Sequence, residues 1–304
     1  MTYQAAILLL VAAAFHAAWN FSGKRQRVTP AAFLLANTIG VFALFLPILI
    51  YPPARQIFQI GEFPASIWSW VILTGIFQAL YYLGLAGAYR TGDLSLAYPL
   101  LRAVPVVLVL LANIPLGRVE QISISAGIGM ILVAAGAAIL PLQRFSEWNF
   151  RRWFIPAVGW AMFAALNTAG YSLVDDHALR ILRASSDSAV GVTLVYAFWE
   201  GLAASIWLGL ILLLTRNGRS CLASVTRSGL SQAAFTGLGI YLAYTLVLVA
   251  MGYVKNVSYV VAFRQTSILF GALLGMLVLK EPCYVPRLTG VIVLFIGLVL
   301  VGLG

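Results

Sequence analysis

The sequence predicts an all-α polytopic membrane protein, with ten transmembrane helices arranged as two inverted five-helix repeats. Three observations carry that expectation. The 304-residue chain is 62% hydrophobic and only 9% charged, whereas ordinary soluble domains carry roughly a quarter charged residues. Stretches free of Asp, Glu, Lys and Arg recur at 28–54, 63–89, 121–143, 153–174, 228–254 and 288–304, long enough to cross a hydrocarbon core about 30 Å thick. Landmarks also repeat at one offset. Arg102 and Arg264 lie 162 residues apart, and Glu120 and Glu281, Gly129 and Gly290, and Gly136 and Gly297 lie 161 apart. Four landmarks on one spacing indicate a duplicated unit.

Taken in order, spans are expected at 3–22, 31–50, 66–88, 95–115, 124–140, 154–174, 189–214, 230–251, 257–279 and 288–304. The first begins MTYQAAILLL, without a basic leader, and reads as a span rather than a cleaved signal peptide. The fourth carries Arg102 and is punctuated by Pro99, Pro105 and Pro115, whose freed carbonyls need partners. The polar segment LQRFSEWNFRR separates repeat one (1–141) from repeat two (154–304), with 142–153 as connection. After the sixth span, VDDHALRILRASSDS (174–188) is the longest polar excursion and reads as a loop or short interfacial helix. The ninth contains GALLG, with Gly271 and Gly275 as a small-residue packing face. Five spans per repeat make the second copy enter the membrane in the opposite sense, the plan of many secondary transporters. The runs are too long and too continuously apolar for barrel strands.

The formal charge is +10, with 19 Lys and Arg against 9 Asp and Glu. These residues are scattered between spans rather than gathered on one face, which suits a lipid bilayer and argues against nucleic acid. Twelve of the 19 fall in alternate loops, and Arg55, Arg118, Arg180, Arg183 and Lys255 fall on the other side. Taken alone, that bias puts both termini outside the cytoplasm. Cys221 and Cys283 read as incidental thiols. No GxxxxGK[ST], GxGxxG or HExxH motif is present, and His16 and His177 are the only histidines, so no ATP-driven pump, metal centre or cofactor is expected.

Among candidate site residues, Arg102 and Arg264 come first. Each sits several residues into a span, where it either snorkels to headgroups or lines a polar cavity and binds a carboxylate or phosphoryl group. His16, Asn20 and Lys24 share one helical stripe, with Asn167 and Tyr171 at the matching place in repeat two. Gln78, Tyr81, Tyr82, Tyr241 and Tyr244 offer hydrogen-bonding aromatic linings, and Tyr82 and Tyr244 keep the 162-residue spacing. Glu200, in AFWEGL, is the one acid expected well inside a span. It and His16 are the candidate proton-coupling groups.

In HAAWN with its following lysine, GDLSLAYPLLRAVPV, FRQTSILFGALLGMLVLKE and LTGVIVLFIG, the chain resembles the drug/metabolite transporter superfamily, specifically proteins of two EamA domains. The resemblance implies an alternating-access carrier in the bacterial inner membrane, a monomer or homodimer that exports small organic solutes such as amino acids. It implies a central cavity that would hold His16, Asn20, Tyr81, Tyr82, Arg102, Asn167, Tyr171, Tyr244 and Arg264. It also implies cytoplasmic termini, against the charge bias above, and that arrangement is preferred. Two basic residues against one acid within spans favour an anionic or zwitterionic metabolite. The rivals are a proton-coupled exporter of cationic or lipophilic drugs and a membrane enzyme or structural partner that transports nothing.

Overall fold

The computed structural model describes residues 1–23, 29–61, 63–91, 94–147, 155–223, 230–277 and 284–304, with side chains described outside 19–23, 94–100, 147 and 274–277. Lys24, Trp148, Trp153, Glu281 and Cys283 lie outside the described residues, as does the side chain of Asn20. The described backbone is helical, in the order α1 (Tyr3–Gly23), α2 (Pro30–Ala43), α3 (Phe45–Ile50), α4 (Pro52–Ile60), α5 (Ala65–Thr91), α6 (Leu94–Ala112) and α7 (Ile124–Ile139). The order continues with α8 (Pro156–Ala184), α9 (Ala189–Leu214), α10 (Arg216–Ala223), α11 (Leu230–Met251), α12 (Val257–Phe263), α13 (Thr266–Leu277) and α14 (Val285–Leu303). Helix starts follow local chemistry. Ser123, Ser188 and Asn256 cap α7, α9 and α12 by accepting backbone N–H groups.

Six helical stretches are long and apolar enough to cross a membrane: Pro30–Ile50, Ala65–Thr91, Pro156–Ala184, Ala189–Leu214, Leu230–Met251 and Val285–Leu303. Four shorter apolar helices, Tyr3–Ala18, Leu101–Ala112, Ile124–Ile139 and Val257–Leu273, accompany them. Burial is inverted relative to a water-soluble bundle. Leu46, Ile50, Ile131, Leu166 and Leu213 are more than half exposed, while Asn37, Thr74, Asp175 and Glu200 are fully buried. Large apolar side chains turned outward suit lipid as solvent, and the chain is a multi-pass membrane protein.

Because lipid tails are as apolar as leucine, such helices associate through close backbone approach and buried hydrogen bonds. Both are present. A Cβ on Gly129 would lie 2.7 Å from the Gly297 carbonyl oxygen, and one on Gly136 2.8 Å from that of Gly290, so α7 and α14 meet backbone to backbone. Gly75 of α5 meets Ala203 of α9, and Gly237 of α11 meets Gly40 of α2. Asn37 of α2 uses all its hydrogen-bonding capacity: it donates to the Gly201 carbonyl and the Ser205 hydroxyl, each at 2.9 Å, and accepts from Tyr82 at 2.8 Å and Tyr241 at 2.9 Å.

Contacts near the helix ends show which loops share a face. Thr2 bonds the Tyr253 carbonyl, Tyr259 bonds Gly304 and Ser123, and Tyr51 bonds Ser188. Arg180 bonds the Lys255 carbonyl and, with Arg118, the Asp176 carboxylate. Both termini therefore lie at the end that also carries Arg55, Arg118, Arg180, Arg183 and Lys255, the less basic of the two.

Four expectations are corrected. The segment 174–188 is not a loop: α8 runs unbroken to Ala184, because Asp175 finds hydroxyl partners inside the bundle and Asp176 pairs with part-exposed guanidinium groups at its edge. Glu200 is accordingly not the one acid inside, since Asp175 is 0% and Asp176 1% exposed. The GALLG face does not make a tight approach at Gly271, which has open space where a Cβ would sit. The ninth span is moreover two helices, α12 and α13, broken at Arg264 and Gln265.

Candidate functional site

The break begins with the run Arg264-Gln265-Thr266-Ser267. These polar side chains satisfy carbonyls that a continuous helix would use: Gln265 donates to Val261 O at 2.8 Å, Thr266 to Phe263 O at 2.7 Å and Ser267 to Arg264 O at 3.1 Å. Arg264 is thereby presented from a turn rather than from a helix flank. In α6 the corresponding Arg102 sits on uninterrupted helix. Broken helices near the bilayer midplane are recurrent sites in transporters.

Arg264 faces a small cavity of about 40 Å³, room for a few water molecules rather than for a whole solute. The first half of the chain contributes His16 from α1 and Gln78, Tyr81, Tyr82 and Leu85 from α5. The second half contributes Tyr171 from α8, Ile240, Tyr241 and Tyr244 from α11, and Arg264. The aromatic rings brace one another. Tyr81 and Tyr171 lie 5.9 Å apart in an edge contact, and Tyr171 and Tyr244 lie 5.6 Å apart at 89°. The Arg264 guanidinium lies 5.4 Å from the Tyr244 ring centroid. Its Nη1 is buried and has no hydrogen-bond partner among the described residues.

Eight of the residues singled out by their position in the sequence come together: His16, Gln78, Tyr81, Tyr82, Tyr171, Tyr241, Tyr244 and Arg264 line the cavity. Arg102 is close enough to His16 to act on it electrostatically, as is Arg264, but its Nη2 donates to Ser267 at 2.5 Å and it is not on the lining. Asn167 is buried and donates to Phe163 O one turn back on α8, away from the cavity. Glu200 lies one layer behind the wall, where its Oε2 accepts from Gln78 at 2.8 Å.

That second layer also holds Asp175, which sequence reasoning missed. Its Oδ1 accepts from Thr74 at 2.6 Å and Tyr196 at 2.8 Å, and its Oδ2 from Tyr244. The available signal was helical periodicity: Asp175 follows Tyr171 by four residues and so falls on the same face of α8. No His/Cys/Asp/Glu group able to hold a metal occurs among the described residues.

The cavity is partly open, is lined from both halves of an apolar bundle and carries a guanidinium on its wall. Residues 4–141 match the EamA-like transporter family. That EamA match covers α1 to α7 and every first-half residue of the cavity. A crystal structure of another protein resembles the chain over its whole length, with a TM-score of 0.73 and 17% identity, covering 100% of this chain and 98% of that one. At that identity the likeness concerns the fold alone. No curated protein sequence is significantly similar to the chain.

Proposed function

We propose that the protein is a secondary transporter of the drug/metabolite type that carries a small anionic or zwitterionic metabolite by alternating access. The observation that carries this reading is the buried Arg264 Nη1, a permanently charged donor on the cavity wall with no protein acceptor among the described residues. An unmet guanidinium N–H in a low-dielectric site is costly unless a carboxylate or phosphoryl oxygen completes it. The surrounding tyrosines supply shape and further hydroxyls.

Helix pairing supports two inverted halves. With Gly129 matched to Gly290 and Gly136 to Gly297, the contacts Gly129–Gly297 and Gly136–Gly290 exchange into each other, as a two-fold axis requires. Gly75 and Gly237 also lie 162 apart, and the pairings of α5 with α9 and α11 with α2 exchange in the same way. So do those of α5 with α8 and α11 with α1. Six long and four shorter apolar helices amount to ten spans on this reading. Rocking one half against the other would open the cavity to each face in turn.

The test is uptake of radiolabelled amino acids, lactate and succinate by proteoliposomes holding the purified chain, with protein-free vesicles as control. Saturable flux of at least one acid, lost in Arg264→Gln, is expected. Flux restricted to cationic compounds would favour the drug-exporter alternative, and no flux of any solute would end the carrier reading.

A further inference from the structure

We propose that Asp175 and Glu200 form a proton-binding site behind the cavity wall, holding one proton between them and linked to the cavity by Tyr244. Its role in transport rests on the carrier reading above, whereas the site itself stands on the hydrogen-bond geometry. Both carboxyls are 0% exposed. Asp175 receives three hydroxyl donors, from Thr74, Tyr196 and Tyr244, the environment that holds a carboxylate ionised. Glu200 is provided for differently. Gln78 donates to its Oε2, but its Oε1 is buried with no donor among the described residues. Gln78 and Glu200 lie one helical turn beyond Thr74 and Tyr196, the donors to Asp175, which sets the two carboxyls side by side.

Two ionised carboxylates side by side in such a place repel, and an ionised Glu200 would leave one oxygen unmet. A proton on Glu200 Oε1, donated to Asp175, removes both penalties and leaves the pair with a single negative charge. The groups facing the pair are Thr74 and Gln78 from α5, Tyr196 from α9 and Tyr244 from α11, with Tyr82 and Tyr241 farther out. The adjoining Asp176 turns instead to Arg118 and Arg180, and His177 meets Trp70 in an edge contact.

Tyr244 ties this pair to the solute site, since its hydroxyl bonds Asp175 while its ring lies under Arg264. An anion on Arg264 cancels the positive charge that favours losing the proton. Anion and proton therefore bind cooperatively, each raising the other's affinity. The proton comes from water as the site loads and returns to water as it empties, and no other bond is made or broken.

Infrared difference spectra of the purified full chain near neutral pH test the site without a known solute. A protonated-carboxyl C=O band is expected. It should shift on glutamate-specific carbon-13 labelling of the unmodified protein and vanish in Glu200→Gln. The labelling decides the matter even where that variant fails to fold. Absence of the band, or a band indifferent to glutamate labelling, overturns the proposal. In Tyr244→Phe, which strips a donor from the Asp175 anion, the titration midpoint of the band should rise by roughly 1–2 pH units. An unmoved midpoint overturns the link. In vesicles, an imposed proton gradient should drive acid flux in the wild type and not in Glu200→Gln. Flux indifferent to the gradient overturns the coupling while leaving the carrier reading intact. No flux at all ends the carrier reading and the coupling together, with the spectra still deciding the proton site.

Discussion

Replacing Arg264 with Gln is the sharpest probe of the solute site. The residue is 8% exposed, so water competes weakly for its uncommitted Nη1. A bound carboxylate would complete that donor with a charge-assisted hydrogen bond, a net contribution of about 1.5–3 kcal/mol. Removing it should raise Kd roughly 10- to 150-fold. Glutamine keeps a shorter, uncharged polar side chain that removes no backbone partner, so the variant should fold, as judged by circular dichroism and size-exclusion profile. Arg102→Gln is the internal control: Arg102 donates to Ser267 and lies off the cavity lining, and its loss should weaken binding by less than about fivefold, under ~1 kcal/mol. Equilibrium binding of whichever labelled acid the vesicles transport measures both. An Arg264→Gln affinity within about threefold of wild type (~0.65 kcal/mol), or an equal loss in Arg102→Gln, would refute the assignment.

Other outcomes follow from packing. Asn37→Leu breaks four buried bonds and should destabilise the protein by about 2–4 kcal/mol at roughly 0.6–1 kcal/mol each, read by thermal denaturation in detergent. Gly129→Leu forces a side chain against the Gly297 backbone and should cost about 1–3 kcal/mol in the same assay. A Gly271→Leu control, with open space at that position, should leave the melting temperature unchanged. Arg180→Ala removes one guanidinium from Asp176 on a side chain 40% exposed, and its cost should stay below about 1 kcal/mol.

The sequence disclosed the helices well and the site unevenly. Apolar runs of membrane length leave little freedom of interpretation, and the glycines that marked the repeat prove to be where α7 and α14 touch, a contact the spacing alone did not announce. Charge misled at 174–188: Asp175 and Arg183 looked solvated, yet α8 carries them to partners on other helices, which no local pattern announces, whereas Arg180 stays at the surface and pairs with Asp176 one turn back. The break at Arg264 was equally hidden, because Gln265, Thr266 and Ser267 cap it with side chains an unbroken helix tolerates. Repeat symmetry suggested that Arg102 and Arg264 were equals. The interruption beside one and not the other gives them different surroundings.

Asn37 has no spare valence: every lone pair and every amide proton is spoken for by α5, α9 and α11. It thus knots helices from both halves at a single atom cluster. In a carrier whose halves swing, a knot of this kind either unties completely or sits where displacement is smallest. The second is far cheaper, and it puts the fulcrum of the motion at Asn37, beside the cavity rather than at either face of the membrane.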